Sequence, residues 1–238
     1  MRCCLATWFT ADFAEVGEAC LSTLRRYGER HNIAVRANFR VTDQRPAPWA
    51  KLEIIQQLFA EGFDGVVWID ADAFFVNEEP DIRASFPPAD IGLVAHHYND
   101  RSVPNCGVLF LRNTAWCRAF LKRWSACPRY NRHFWWENAA LLDLLGFTEF
   151  SAEGIFPRGL AFSAERACLR FFGRAPVLVQ RWVRFVQQRR QRHFAEMDLR
   201  WNSLLKVGCA AQEPVIIHLA GLNFAEKRAW LSEHLQTL

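Results

Sequence analysis

The stretch Val66-Val67-Trp68-Ile69-Asp70-Ala71-Asp72-Ala73-Phe74-Phe75 decides how this chain folds, because an apolar run ends in two aspartates one residue apart. Its β-branched and aromatic residues predict a buried strand. Residues i and i+2 of a strand point the same way, so the Asp70 and Asp72 carboxylates converge where the strand ends. Two hard oxygen ligands there suit a divalent cation that holds a diphosphate. Aspartates also start turns after strands, so the motif alone leaves both interpretations open.

The segments before this strand alternate between strand and helix patterns. Residues 3–9 and 33–39 read as apolar strands, and residues 13–29 and 49–61 carry apolar side chains at helical spacing, with Gly62 at the expected C-terminal position. A β-α-β-α-β order predicts a parallel sheet with crossover helices, and ligands bind at the carboxyl ends of its strands. The two aspartates fall at that edge.

The second part of the chain predicts further strands and helices, with no interdomain linker and no internal repeat. The predicted elements are strands over residues 90–95, 105–111 and 215–219, a polar loop with His96, His97 and Asn99, and helices over residues 114–125 and 137–145. The aromatic residues Trp116, Phe120 and Trp124 of the first helix are expected to be buried against the sheet. The pattern favours one mixed α/β domain.

Composition narrows the class of protein. Of the 238 residues, 51% are hydrophobic and 14% aromatic, which excludes a disordered chain. The net charge of +4 is compatible with an anionic small-molecule ligand and does not by itself indicate nucleic acid. The 8 cysteines show neither a CxxC pair nor zinc spacing, so we expect buried, reduced thiols. The sequence shows no signal peptide and no apolar run of about 18 residues, so we expect a cytoplasmic protein without a transmembrane segment.

Several motifs follow one another in a recognisable order. They are Trp49-Ala50-Lys51, Trp68-Ile69-Asp70-Ala71-Asp72, Asn105-Cys106-Gly107, Trp136-Glu137-Asn138 and His218-Leu219-Ala220-Gly221. This ordered set resembles the retaining glycosyltransferases that include fungal α-galactosyl- and α-mannosyltransferases and plant xyloglucan xylosyltransferases. The resemblance implies a GT-A fold, a single Rossmann-like domain over residues 1–238 with a mixed, mostly parallel sheet. Residues 1–75 would be its nucleotide-binding half and residues 76–238 its sugar- and acceptor-binding half.

The resemblance also implies a metal site and a reacting site. Asp70, Asp72 and His218 match the positions that hold Mn²⁺ or Mg²⁺ against the donor diphosphate, where the metal offsets charge on the leaving group. Glu137 and Asn138 match the position that faces the reacting sugar carbon, so they are the implied catalytic residues. The residues by themselves also fit a strand-end histidine with a backbone partner and a glutamate at a helix start.

Contacts to the donor follow from the same resemblance. The implied donor-binding residues are Lys51, Asp70, Asn105, Gly107, Gly221 and Lys227. Asn105 offers an amide to sugar hydroxyls, and Gly107 allows close approach of the backbone. Relatives often have a lysine just after the His-x-x-Gly turn, where this chain has Leu222 and Asn223. Lys227 and Arg228 follow slightly later and are the expected substitutes.

The implied reaction moves a hexose or pentose from a nucleotide-diphosphate sugar to a hydroxyl of a glycan or other acceptor, with an α linkage. A UDP-sugar is preferred over a GDP-sugar. One alternative is a haloacid-dehalogenase-like phosphohydrolase, whose motif normally follows the first strand and continues with Thr or Val where this chain has Phe74. The other is a non-catalytic module that binds nucleotide sugars.

Residues 181–192 form a basic amphipathic segment. Arginines alternate with Trp182, Phe185 and other apolar residues, which predicts a helix with one buried stripe and a solvated basic face. The alternative is a peripheral contact with an anionic surface, which would be a membrane, an acidic acceptor or nucleic acid.

Overall fold

The computed structural model describes residues 1–98, 101–147, 158–206 and 208–234. The strands are β1 (Cys3–Ala6), β2 (Ala34–Arg36), β3 (Gly65–Ile69), β4 (Ala73–Phe75), β5 (Ile91–Tyr98), β6 (Arg101–Arg112), β7 (Phe194–Glu196), β8 (Ser203–Leu204) and β9 (Ile216–His218). The helices are α1 (Ala14–His31), α2 (Ala50–Ala60), α3 (Ala115–Ser125), α4 (Trp136–Leu145), α5 (Leu160–Phe172), α6 (Val177–Gln191) and α7 (Phe224–His234).

The central sheet has the strand order β2-β1-β3-β6-β5-β7. Strands β2, β1 and β3 are parallel, β6 runs antiparallel to both β3 and β5, and β7 is parallel to β5. The predicted β-α-β-α-β order and the mixed sheet are therefore confirmed. Gly62 has a φ of +84° just after α2, as expected for the residue that ends a helix.

Strand β3 lies in the middle of two cores. Val66 and Trp68 pack with α2, α3 and α4 on one face, while Val67 and Ile69 pack with α1 on the other. A strand covered on both faces is apolar without alternation, which explains the continuous apolar run before Asp70. Its carboxyl end emerges between these layers and carries the two aspartates.

A second, three-stranded sheet, of order β4-β9-β8, extends this edge. β4 pairs antiparallel with β9 in a register that puts Ala73 opposite His218. Leu219 donates its backbone N–H to the carbonyl of Asp72 at 2.9 Å. The C-terminal strand, expected over residues 215–219, thus returns directly to the aspartate motif.

The prediction of a polar loop with His96, His97 and Asn99 is wrong for its two histidines. His96 and His97 lie within β5 and pair with Val103 and Ser102 of β6, whereas Asn99 lies outside the described residues. His96 is buried and His97 is exposed, so the two histidines alternate as strand residues do. Two polar residues in succession concealed that alternation, and both strands of the hairpin are longer than predicted.

The cysteine side chains and the lengths of the helices can be compared with the predictions from the sequence. The eight cysteines lie outside any disulfide, and all are buried except Cys168, which is partly exposed. Among the residues that the structure describes, no helix is both long and apolar enough to span a bilayer.

The aromatic helix α3 is largely placed as predicted. Phe120 and Trp124 are buried in the core between α2, α3 and α4, but Trp116 is only half-buried and stacks on Phe120 and His193. Trp116 is therefore a correction to the predicted core. It occupies the outer edge of the helix, where β7 and the residue before it provide its cover.

We expect Phe120→Ala to lower the free energy of unfolding by about 3 kcal/mol, the lower end of the range for a buried phenylalanine. Phe120 lines a surface cleft, so water can enter part of the space that is left. Urea unfolding of the variant, beside Phe171→Ala at an exposed position, measures the difference. Equal stabilities for Phe120→Ala and the wild type would contradict the placement of α3.

Candidate metal and donor site

Three side chains with metal-binding atoms meet at the carboxyl end of β3. Asp70 follows β3, Asp72 lies two residues later, and His218 is the last residue of β9. One ligand atom from each lies within 4.8 Å of the others. The β4–β9 register produces this meeting, because it fixes His218 beside the aspartates. Two carboxylates and one imidazole are a donor set that suits a divalent cation.

The Asp70 carboxylate is held by one of its two oxygens. Oδ1 accepts hydrogen bonds from Trp68 Nε1 at 2.7 Å and from Lys51 Nζ at 2.9 Å. The backbone N–H of Asp70 donates to the carbonyl of Gly107 at 2.7 Å, which fixes the chain where it leaves the strand. Because both side-chain donors use Oδ1, the lone pairs of Oδ2 stay available to a ligand.

The Asp72 carboxylate lies between two basic groups. His218 Nε2 is 3.2 Å from Oδ1, and Lys227 Nζ is 3.1 Å from Oδ2. Burial opposes ionisation of Asp72, but the charges and hydrogen bonds of His218 and Lys227 outweigh it and lower the pKa of this carboxyl below its ordinary value. Asp72 is therefore an anion at neutral pH, as a metal ligand must be.

A chain of hydrogen bonds assigns the tautomer of His218. The backbone N–H of Gly107 donates to Asn105 Oδ1 at 2.8 Å, so Asn202 must use its Nδ2 group toward the same oxygen, at 3.0 Å. Asn202 Oδ1 then faces His218 Nδ1 at 2.9 Å and can only accept. His218 therefore carries a proton on Nδ1, and its Nε2 faces Asp72. A protonated His218 donates from Nε2 to Asp72 Oδ1, whereas a neutral His218 would present the lone pair of Nε2 to a metal at the same place. That orientation is typical of a metal-ligating histidine.

Gly107 makes room for the histidine. A Cβ atom at this position would lie 2.1 Å from His218 Cε1 and 2.6 Å from its Nδ1. The backbone of Gly107 thus lies directly against the ring of His218. The family resemblance implies, in addition, that this backbone lies close to the donor sugar. Any side chain here would displace the ring from Asp72.

Lys51 joins the metal-site carboxylate to the predicted catalytic glutamate. Its Nζ lies 2.9 Å from Asp70 Oδ1 and 2.9 Å from Glu137 Oε1, and it donates to the carbonyl of Cys106 at 3.1 Å. The Lys51 side chain is only 1% exposed. Burial opposes its charge, yet Asp70 and Glu137 hold the pKa of Lys51 well above its ordinary value. The structure therefore places Lys51 under the site, between two carboxylates.

The two predicted catalytic residues begin α4, but their side chains differ in what they contact. Glu137 is 4% exposed, and its Oε2 is buried without a hydrogen-bond partner among the described residues. Asn138 accepts from the backbone N–H of Cys106 at 2.9 Å and donates to the carbonyl of Pro104 at 3.4 Å. Asn138 thus holds the edge of β6, whereas Glu137 keeps one unsatisfied oxygen.

The turn after His218 brings two lysines to the site. Gly221 has a φ of +78°, and its carbonyl accepts a hydrogen bond from Lys206. Lys227 of α7 reaches Asp72, as described above. Asn223, the residue just before α7, forms a capping box with Glu226: its Oδ1 accepts from Glu226 N at 3.0 Å, and Glu226 Oε2 accepts from Asn223 N at 2.6 Å.

Sequence reasoning missed Asn202 and Lys206. Both belong to the segment around β8, which carries no motif and pairs with β9. Asn202 contacts His218 and Asn105, and Lys206 donates to the carbonyl of Gly221. Asn202 is fully buried, and its carbonyl also accepts from His96 Nε2 at 2.6 Å. Burial lowers the pKa of His96 to about 4, so its ring is neutral at pH 7.

We expect Asn202→Ala to weaken divalent-metal binding by about 10- to 100-fold, the usual effect of removing a group that orients a ligating histidine. The variant loses the acceptor that keeps the His218 proton on Nδ1. Titration with Mn²⁺ measures the affinity, and thermal unfolding without metal shows whether the fold survives. A folded variant with wild-type metal affinity would contradict the assigned tautomer.

Comparisons with known proteins identify solved structures with a similar fold. No protein-family model and no curated protein matches the chain. A glycosyltransferase involved in the glycosylation of the major capsid of PBCV-1 matches with a TM-score of 0.62 and 13% identity over 100% of both chains. The apo form of the glycosyltransferase GlyE from Streptococcus pneumoniae TIGR4 matches with a TM-score of 0.50 and 9% identity, over 98% of this chain and 60% of that chain.

At these sequence identities, the comparisons establish the fold of the chain alone. The chain has the α/β fold with a mixed central sheet that is found in GT-A glycosyltransferase structures.

Proposed function

We propose that this protein is a metal-dependent glycosyltransferase that moves a hexose or pentose from a nucleotide-diphosphate sugar to an acceptor hydroxyl, with retention and an α linkage. The observation that carries the proposal is the meeting of Asp70, Asp72 and His218 at the carboxyl end of β3, in a chain with this fold. The site lies where ligands bind in open α/β sheets.

The proposed metal is Mn²⁺ in preference to Mg²⁺. Mg²⁺ favours a shell of oxygen ligands, whereas Mn²⁺ also accepts an imidazole nitrogen such as His218 Nε2. Bound there, the metal would supply positive charge to the leaving diphosphate. Lys227 and Lys206 lie beside the same turn and are the proposed cationic contacts of the diphosphate. Gly221 contributes the turn that holds them near His218.

The nucleoside has a proposed place on the same edge of the sheet. A cleft of about 510 Å³ lies beyond the carboxyl ends of β1 and β2 and is lined by Trp8, Phe9, Asn38 and Phe39, among others. Aromatic faces are suited to stacking on a base, and the amide of Asn38 offers both a donor and an acceptor. This cleft is compatible with a UDP-sugar, the donor that we propose.

Glu137 and Asn138 are the proposed residues of the reacting face. Glu137 Oε2 is a hydrogen-bond acceptor without a partner among the described residues. A sugar hydroxyl or the positive charge of an oxocarbenium-like centre would satisfy it. Asn138 fixes the backbone at Cys106 and so shapes the wall next to Asn105 and Gly107. Lys51 Nζ lies 2.9 Å from Glu137 Oε1 and so holds that oxygen in place beside the site.

We expect Glu137→Gln to lower the transfer rate by about two orders of magnitude, the effect of losing one electrostatic stabiliser. Asn138→Ala should lower it by a similar factor, because it releases the backbone at Cys106 and so misplaces the wall of the site. Donor dissociation constants should change little, because a group that acts in the transition state adds little to ground-state binding. Comparing transfer rates with calorimetric donor binding separates the two effects. Donor binding that collapses together with the rate would assign these residues to the donor pocket.

The stereochemistry has its own test. NMR of the transferred sugar, recorded at early times, should show an α anomer formed from an α-linked donor. A β product would overturn retention while leaving the metal site and the donor class in place.

The phosphohydrolase alternative requires Asp70 to attack a phosphate. In this chain the Asp-x-Asp motif follows β3 and not the first strand, and Phe74 stands where that class of enzyme has Thr or Val. The non-catalytic module would bind the donor without turnover. Hydrolysis of a phosphomonoester would support the first alternative, and tight donor binding with no sugar transfer or hydrolysis would support the second.

A further inference from the structure

The helix pair α5–α6 carries an exposed apolar surface that the donor site does not use. We call it the hairpin tip, defined by Leu169, Phe171, Phe172, Val177, Leu178 and Trp182 on both sides of the turn at residues 173–176. Phe171, Phe172 and Leu178 are 73%, 74% and 77% exposed. Side chains this apolar and this exposed on neighbouring positions mark an interaction surface.

The base of the hairpin packs against the rest of the protein, whereas the residues of the tip are exposed. Phe162 and Val183 are buried at the base. Gln187 donates to the carbonyl of Gly146 at 2.7 Å, and Arg190 donates to the carbonyl of Asp143 at 3.0 Å. These contacts fix the C-terminal half of α6 on the end of α4. The expected buried stripe of α6 is therefore short, since Val183 is its one buried residue.

The charge of the chain is concentrated in the same segment. Residues 158–192 contain nine arginines and a single acidic residue, Glu165, so the segment carries +8 and the remainder of the chain −4 against a total of +4. Arg170, Arg174, Arg181 and Arg184 are exposed and form no ion pair within the part of the chain that the structure describes.

Apolar and basic side chains share one face of α6. Leu178, Arg181, Trp182 and Phe185 follow the i, i+3, i+4, i+7 spacing and lie on neighbouring turns. Such a face suits a helix that lies at a lipid interface, where apolar groups enter the acyl boundary and arginines extend to phosphates.

We propose that the hairpin tip docks on an anionic lipid bilayer. Charge complementarity selects this occupant, because the arginines pair with lipid phosphates and the phenylalanines and leucines enter the apolar layer. A second copy of the chain would bring another surface of +8 against the first. Nucleic acid would satisfy the arginines, but Phe171, Phe172 and Leu178 would gain no apolar environment from a phosphate backbone. The proposal does not depend on glycosyl transfer.

The test is sedimentation of the full chain with vesicles of phosphatidylcholine alone and of phosphatidylcholine mixed with phosphatidylglycerol. We expect binding to the mixed vesicles only, weakened by salt. Phe171→Ser with Phe172→Ser should lower the partition coefficient at least about tenfold, because two apolar anchors are lost. Arg181→Gln with Arg184→Gln should lower it about 25-fold, since each cationic residue contributes about fivefold at an anionic surface.

The matched control is Arg26→Gln with Arg30→Gln, which removes two exposed arginines from α1. It should bind vesicles as the wild type does. All three double variants should keep the wild-type melting temperature; a lower one for the Phe171/Phe172 pair would mean that the tip is packed in the free protein, against the proposal. Equal binding to neutral vesicles, no binding, dimerisation that the Phe171/Phe172 pair abolishes, or binding to a DNA duplex in place of vesicles would each overturn it.

Discussion

Asp72→Asn should lower the affinity for UDP in the presence of Mn²⁺ more than about 100-fold, since groups that merely orient a ligand already contribute 10- to 100-fold. The substitution removes one charged ligand and leaves Asp70 and His218 without the third donor. The fold should persist, because the carbonyl of Asp72, which binds Leu219, is unchanged and Lys227 keeps its bond to the Leu222 carbonyl.

Two comparisons sharpen this prediction. Asp12→Asn removes one exposed carboxylate outside the site and should leave UDP affinity unchanged. UDP binding in EDTA should be weak for the wild type and for Asp72→Asn alike. If Asp72→Asn binds UDP in Mn²⁺ as tightly as the wild type, the metal site is elsewhere.

Lys51→Met should lower the free energy of unfolding by about 4–5 kcal/mol, near the top of the range for breaking a buried ion pair. Methionine fits the space of the lysine stem, but Glu137 would then be an uncompensated charge at 4% exposure and Asp70 would lose a donor. Denaturant unfolding measures the loss, with Lys122→Met on the exposed side of α3 as the control.

A double variant tests the reason for that loss. Lys51→Met combined with Glu137→Gln removes the charge as well as its partner, so it should be more stable than Lys51→Met alone. If the double variant is instead less stable by the sum of the single effects, Lys51 and Glu137 do not interact as the structure indicates. Wild-type stability of Lys51→Met would contradict the buried ion pair itself.

The β-α-β-α-β half of the fold could be read from sequence because its signals are local. The run before Asp70 is apolar on both faces, and Gly62 follows the end of α2 as its pattern predicts. The β5–β6 hairpin was harder, since buried His96 and exposed His97 look like loop residues until their pairing is known. In the small sheet, β4 pairs with β9 across more than 100 residues of the chain, and such a pairing leaves little local trace in the sequence.

The residues of the candidate site also differ in whether the sequence alone identifies them. Asp70 and Asp72 could be identified from their spacing, whereas His218 was identified only through the resemblance to a family. Lys51 was assigned to the donor through the same resemblance, and the structure buries it between two carboxylates. Asn202 has no motif, because a residue that orients a histidine needs only an amide at the right distance.

One measurement tests the central proposal most directly. Purified protein is incubated with a panel of UDP- and GDP-sugars in Mn²⁺ or in EDTA, and release of the nucleoside diphosphate is recorded for the wild type and for Asp72→Asn. We predict release from one donor by the wild type in Mn²⁺, none in EDTA, and a loss of at least about 100-fold for Asp72→Asn. Release that is equal in EDTA, or no release from any nucleotide sugar, would contradict a metal-dependent glycosyltransferase.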